Sequence, residues 1–199
     1  MSKAITLIES KSPLHREKAD LLLNEIFTAR QQQQNSSSTK ASNSFHVGIT
    51  GPPGVGKSSF IEAFGQYLLD ELPKISASGG KDEEAADERP DKVAVICIDP
   101  SSVISGGSIL GDKTRMTELS RHQSAYVRPS PSKGVLGGLS SYTNECCSLC
   151  EAAGYDLILV ETVGLGQSEV DVSQVCDMII SMVPPGGGEC YFRLLQSVG

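Results

Sequence analysis

Tryptophan is absent from the 199-residue chain, and aromatic residues make up only 5% of it. Nowhere do aromatics alternate with Lys or Arg, the arrangement that stacks unpaired bases. Basic residues are also in the minority: 17 Lys and Arg against 24 Asp and Glu give a formal net charge of -7. A nucleic-acid-binding surface needs the opposite balance, so no nucleic-acid partner is expected. No apolar run approaches the roughly 20 residues of a membrane-spanning helix, so no membrane segment is expected either. Met1 to Glu9 has neither the charged-then-apolar layout of a signal peptide nor the Arg-rich layout of a transit peptide. The three histidines, His15, His46 and His122, lie too far apart in sequence for metal-ligand spacing. Of the six cysteines, Cys97, Cys176 and Cys190 are scattered, while Cys146, Cys147 and Cys150 are close together. Cys147-x-x-Cys150 has no second CxxC and no His pair at zinc spacing, which favours buried thiols in a reduced compartment over a metal or redox pair.

What is present is glycine, 20 residues of it, in a chain long enough for one domain with appendages. Apolar spacing predicts helix over Ala4–Arg30 with a break at Pro13. Gln31–Ser44 is polar low-complexity sequence and is expected to be a linker, and the acidic stretch Ser76–Asp91 a solvated loop. Strands are predicted at Phe45–Thr50, Lys92–Ile98, Ala125–Arg128 (stopped by Pro129 and Pro131), Asp156–Val160 and Asp177–Val183. Helices are predicted at Ser58–Leu72, Thr114–Arg121 and Ser141–Ala153. Apolar strands alternating with helices imply an α/β fold with a mainly parallel sheet covered on both faces, a three-layer sandwich. The chain divides into a helical N-terminal extension and linker (1–44), an α/β domain (45–189) and a divergent tail (190–199).

The chemistry begins at Gly51-Pro52-Pro53-Gly54-Val55-Gly56-Lys57-Ser58, which fits GxxxxGK[ST] between a predicted strand and a predicted helix. Glycines let the backbone wrap a phosphate, and the helix adds the positive end of its dipole. Lys57 is placed to reach β- and γ-phosphates, Ser58 to ligate Mg²⁺, and Ser59 extends the cradle. Asp99 and Glu161 each end a predicted strand, at the sheet edge where α/β folds bind ligands. Magnesium takes one or two carboxylates together with phosphate oxygens, so Ser58, Asp99 and Glu161 are the candidate metal residues; the alternative role for either acid is capping the next helix. Gly164, three residues past Glu161, can offer its N–H to a γ-phosphate, and loss of that phosphate would release the loop. Asp112 is a candidate for orienting an attacking water, and Arg115 either neutralises phosphate charge or pairs with Asp112.

GITGPPGVGKSS, IDPSSVISGGSILGDKTRM, RPSPSKGVLGG, CEAAGYDLILVETVGLGQSEV and PPGGGE, in this order, closely resemble the MeaB/ArgK/methylmalonic aciduria type A family of P-loop GTPases. AITLIES and HREKADLLL fit the helical region that leads the family. The resemblance implies a P-loop NTPase fold and Mg²⁺-dependent GTP hydrolysis. It also implies a chaperone of adenosylcobalamin-dependent methylmalonyl-CoA mutase, concerned with cofactor loading and protection. Matching positions make Lys57 the phosphate-binding lysine and Ser58 a metal ligand, and set Asp99, Asp112 and Glu161 around the metal and the attacking water. Gly186–Glu189 matches the start of a loop that responds to nucleotide and partner. The family's guanine-reading Asn-Lys-x-Asp segment does not occur in these 199 residues, and after Glu189 the sequence departs from the family pattern. A C-terminally truncated member without the dimerisation arm is therefore expected, with weak preference for GTP over ATP and an exposed apolar edge at Asp177–Val183. Eukaryotic members are mitochondrial, which sets the mitochondrial matrix against the cytoplasm suggested by the missing transit peptide. A nucleotide-binding module without turnover and a P-loop small-molecule kinase are the competing readings.

Overall fold

The computed structural model describes residues 1–35, 44–73, 90–99, 116–131, 142–162 and 172–186. Five strands form one sheet: β1 (Phe45–Thr50), β2 (Val93–Asp99), β3 (Ala125–Pro131), β4 (Leu157–Glu161) and β5 (Met178–Ser181). Their order is β3-β2-β4-β1-β5, and every neighbouring pair is parallel. A parallel pair needs a crossover, and the crossovers place helices on both faces. This is the α/β fold with a parallel sheet that the alternation of apolar strands and helices predicts.

The pleat sorts the core into two layers, because successive side chains point to opposite faces. On one face Ala94, Ile96, Ile98, Ile158 and Val160 meet α1 (Ser2–Glu9), α2 (Pro13–Asn35) and α4 (Thr143–Ala152). On the other, Val47, Ile49, Val95, Cys97 and Leu159 meet α3 (Lys57–Gln66), with Met116 and Leu119 beside it. Pro13 opens α2 at the first helical position, where its missing N–H costs nothing. Arg16 joins α2 to α4 through a two-pronged hydrogen bond to Glu145, at 2.9 and 2.7 Å, while stacking on Tyr142. Glu9, at the end of α1, accepts hydrogen bonds from Arg128 and from Ser130 on β3. The leading helices are thus tied to the sheet by charge as well as by apolar packing. None of the described helices is long and apolar enough to cross a membrane.

Several boundaries differ from the sequence prediction, and the helix predicted at Thr114–Arg121 is, over its described residues, a turn that ends in the 3-10 segment Leu119–Arg121. Helix α2 runs on to Asn35, into the polar tract assigned to a linker, because glutamine is a good helix former and the preceding turns supply the nucleus. The helix predicted to run to Leu72 is α3 to Gln66, continued by a π-helical turn over Tyr67–Glu71. Strand β3 passes through Pro129 and on to Pro131 instead of stopping. Among the described strands β3 pairs only with β2, so it is an edge. Residues two apart direct their backbone groups the same way, and an edge strand tolerates proline where the missing N–H faces outward. At the opposite edge, β5 leaves Met178, Ile179 and nearby Val183 substantially exposed.

The clustered cysteines lie in the core. Cys146, Cys147 and Cys150 on α4 are buried, and burial pushes the Cys150 thiol up to about 12. Burial does the same to Cys176, to about 12, and raises Cys146 and Cys147 as well, with neighbouring thiols and carboxylates adding to it. Thiols held protonated are poor nucleophiles and poor metal ligands. The sign of the pH effect follows. The folded chain keeps these protons well above the point, near 9.0, at which an unfolded thiol releases its own. Unfolding therefore releases protons above that point, and stability falls as pH rises through this window. Thermal unfolding followed from about pH 8 to about pH 10.5 is expected to show a falling Tm, with a shallower slope in Cys147→Ala. Equal slopes in the two proteins would contradict the assignment.

Candidate functional site

The site is assembled where β1 and β4 end side by side. Strand β1 leaves the sheet at Thr50, and its glycine-rich loop turns through Gly51 (φ 144°), Gly54 (φ 81°) and Gly56 (φ 100°) before α3 begins at Lys57. Gly56 sits at the helix N-cap in left-handed conformation, with no side chain capping the first turn. The N-terminal end of α3, the positive end of its dipole, therefore opens into the loop with no side-chain cap over it, which suits an anion. Lys57 is only 5% exposed, and its ammonium donates to the carbonyls of Gly51 at 2.8 Å and Pro52 at 3.1 Å. Pro53, Gly54 and Ser59 lie on the exposed side of the loop, with Val55 and Pro52 half-buried.

Glu161 ends β4, level with Ile49 of β1 and Cys97 of β2. The Ser58 hydroxyl donates to Glu161 Oε1 at 2.8 Å, and both residues are buried. This contact spans 103 residues of chain and joins two of the three candidate metal residues. A serine hydroxyl and a carboxylate are the hard oxygen donors that magnesium takes, so the pair fits that ion. Asp99 is the last residue of β2, two positions beyond the Cys97–Glu161 pairing, which puts it at the same sheet edge. Asp112, Arg115 and Gly164 lie outside the described residues.

One contact beside the site carried no signal in the sequence. Glu62, one turn beyond Ser58 on α3, accepts the backbone N–H of Glu118 at 2.8 Å and that of Leu119 at 3.3 Å. Carboxylates that collect N–H groups at the start of a turn are common, but this one reaches across 56 residues. Spacing within a helix could not reveal it.

A parallel sheet, a phosphate-type loop between β1 and α3, and an acid on the adjacent strand bonded to the loop's serine define a P-loop nucleotide-binding domain of the NTPase type. Residues 1–77 and 83–193 match the family described as "Methylmalonyl Co-A mutase-associated GTPase MeaB", and the chain belongs to that family. It is 46% identical to the mouse protein named "Methylmalonic aciduria type A homolog, mitochondrial", over 95% of this chain and 41% of that protein. It is 44% identical to "GTPase ArgK" of Escherichia coli, over 95% of this chain and 48% of that one. A solved structure described as an "LAO/AO transport system kinase" superposes with a TM-score of 0.60 at 34% identity, covering 94% of this chain and 47% of that chain. The chain thus spans less than half the length of the relatives it matches.

Proposed function

We propose that this chain binds GTP together with Mg²⁺ and hydrolyses it, in the service of an adenosylcobalamin-dependent methylmalonyl-CoA mutase. The observation that carries the reading is the Ser58–Glu161 contact beside the Lys57 loop. Lys57 would exchange its carbonyl partners for the β- and γ-phosphates, and the loop N–H groups would hold the remaining phosphate oxygens. Ser58 and Glu161 would hold the metal, with Asp99 as the second acid at the same edge. The ion would supply neutralisation of charge on the β/γ-phosphates. Asp112 would orient the attacking water, and the Gly164 N–H would meet the γ-phosphate and report its loss. Guanine as the base, the mutase as partner and a mitochondrial location for a eukaryotic chain rest on the family and on the names its relatives carry.

Phosphate release from GTP tests the enzymatic part, with Lys57→Ala as the background. Metal and water positioning matter most in the transition state, so Glu161→Gln and Asp99→Asn are expected to lower turnover roughly a hundredfold while weakening nucleotide binding only a few-fold. Equal losses in both would reduce the two acids to structural roles. Turnover no higher than the Lys57→Ala background, with tight nucleotide binding, would make the chain a binding module. Addition of the mutase is expected to raise phosphate release, and an unchanged rate would remove it as the partner.

A further inference from the structure

The two edges of the sheet are built differently. Edge strand β3 carries Arg128, Pro129 and Pro131, and α1 lies beside it, with Glu9 accepting hydrogen bonds from Arg128 and Ser130. Prolines, charges and a covering helix are what keep an edge from taking on a further strand. Strand β5 and its continuation to Val183 hold no charge and no proline. Met178 is 47% exposed, Ile179 37% and Val183 42%, and no described strand lies beyond β5. The ladder to β1 sets the direction of its backbone groups. The Met182 N–H donates to the Thr50 carbonyl at 2.9 Å, so Met182 and, by alternation, Ile180 and Met178 face β1. Ile179 and Ser181 therefore direct their N–H and C=O groups outward, away from the sheet.

Turned about a two-fold axis, this edge matches itself. With Ile180 set antiparallel against Ile180 of a second copy, Ile179 falls opposite the copy's Ser181 and exchanges both backbone hydrogen bonds with it. Ser181 does the same with the copy's Ile179, so every outward backbone group of β5 is used. A shift of register would call on Asp177, whose N–H is already bonded to the His46 carbonyl, or on Val183, outside the strand. The two Ile180 residues form a non-hydrogen-bonded pair, the closer kind, flanked by Met178 opposite Met182. These side chains make an apolar row on the α3 face, where Ile180 and Met182 already pack. Charge raises no objection: Asp177 falls opposite Val183, and its carboxylate already accepts the His46 N–H. The two Asp177 residues lie about 20 Å apart along the strands, well beyond a Debye length of about 8 Å. We infer that β5 is the contact of a two-fold dimer of this chain, in which two sheets run on as one. The fit of the edge to itself, without a charge clash, points to a second copy as the occupant. β3 closes both outer ends, so assembly stops at two copies. The contact is one strand deep, smaller than a standard interface, so dissociation in the micromolar range is expected. The inference does not depend on the nucleotide reading.

The test is sedimentation of the full chain from about 1 to about 300 µM, with amide hydrogen exchange at Ile179 and Ser181. A monomer–dimer equilibrium is expected, with both amides protected more strongly as concentration rises. Ile179 and Ser181 are exposed, so charges placed there leave the monomer folded, which thermal unfolding checks. Ile179→Lys with Ser181→Lys sets like charges opposite each other and is expected to weaken the dimer about tenfold or more. Ile179→Glu with Ser181→Lys sets opposite charges there and is expected to keep it. Ser181→Pro removes an outward N–H, leaves the ladder to β1 whole and is expected to weaken the dimer without adding charge. A chain that stays monomeric with both amides exchanging freely would overturn the inference. So would a monomer with both amides protected at every concentration, since the edge would then be covered within one chain. Assembly that grows past two copies would overturn the closed pairing. A dimer indifferent to the lysine pair and to Ser181→Pro would place the contact elsewhere, and a Glu/Lys variant as weak as the lysine pair would overturn the register.

Discussion

Lys57→Ala is expected to abolish measurable nucleotide binding. No other Lys or Arg occurs between Gly51 and Ser58, so the substitution removes the loop's entire positive side-chain charge. The ammonium is already drawn inside the loop, buried and bonded to the Gly51 and Pro52 carbonyls, and needs little reorganisation to meet a phosphate. Hydrogen bonds to charged groups contribute about 1.5–3 kcal/mol each. Two such contacts to phosphate oxygens amount to about 3–6 kcal/mol, a loss of a hundredfold or more in affinity. The fold is expected to survive, because α3 is held by Ile61 against Val47 and Ile49, which the substitution leaves alone. The measurement is titration with a fluorescent guanine nucleotide alongside thermal unfolding. Wild-type affinity in the variant would sink the P-loop assignment, and a collapsed Tm would show that the lysine holds the loop and not the ligand.

What the sequence made legible was local. The phosphate loop is contiguous, its glycines are needed at successive backbone positions, and a strand and a helix flank it within a few residues. Lys57 and Ser58 could therefore be placed at the end of that loop, where the helix starts, from spacing. Glu161 was legible at one remove, since an acid closing an apolar strand of a parallel sheet must arrive at the ligand edge. Its bond to Ser58 confirms that the two meet, and shows which oxygen of Glu161 is used.

What stayed hidden depends on partners distant in sequence. Pro129 and Pro131 read as terminators because local rules forbid proline in a central strand. Only the strand order reveals that β3 is an edge, where the rule relaxes. Glu62 carries no signal within its own helix, because its contact depends on two N–H groups 56 and 57 residues away. In each case the missing information was which element lies on top, a tertiary fact that overrides local preference.

Gly51→Ala is expected to be far more damaging than alanine at the other two loop glycines, and the reason is steric as well as conformational. All three have positive φ, so each alanine bears backbone strain. At Gly54 and Gly56 an added Cβ would meet nothing within 4 Å, and the strain alone, about 1–2 kcal/mol, sets the loss. At Gly51 the Cβ would come within 2.4 Å of the Met182 carbonyl oxygen and 3.2 Å of Val55 Cγ1. That carbonyl cannot readily retreat, because the Met182 N–H is bonded to Thr50 O at 2.9 Å and continues the β1–β5 ladder. Strain and overpacking together are expected to cost about 3 kcal/mol or more. The loop would have to swing away from β5, carrying with it the Gly51 carbonyl that partners Lys57. Gly51→Ala should therefore lose both thermal stability and nucleotide binding, while Gly54→Ala and Gly56→Ala retain most of their stability. A Gly51→Ala protein as stable as Gly54→Ala, and still binding fluorescent GDP, would mean that β1 does not end against Met182 and that the phosphate loop leaves the sheet along another path.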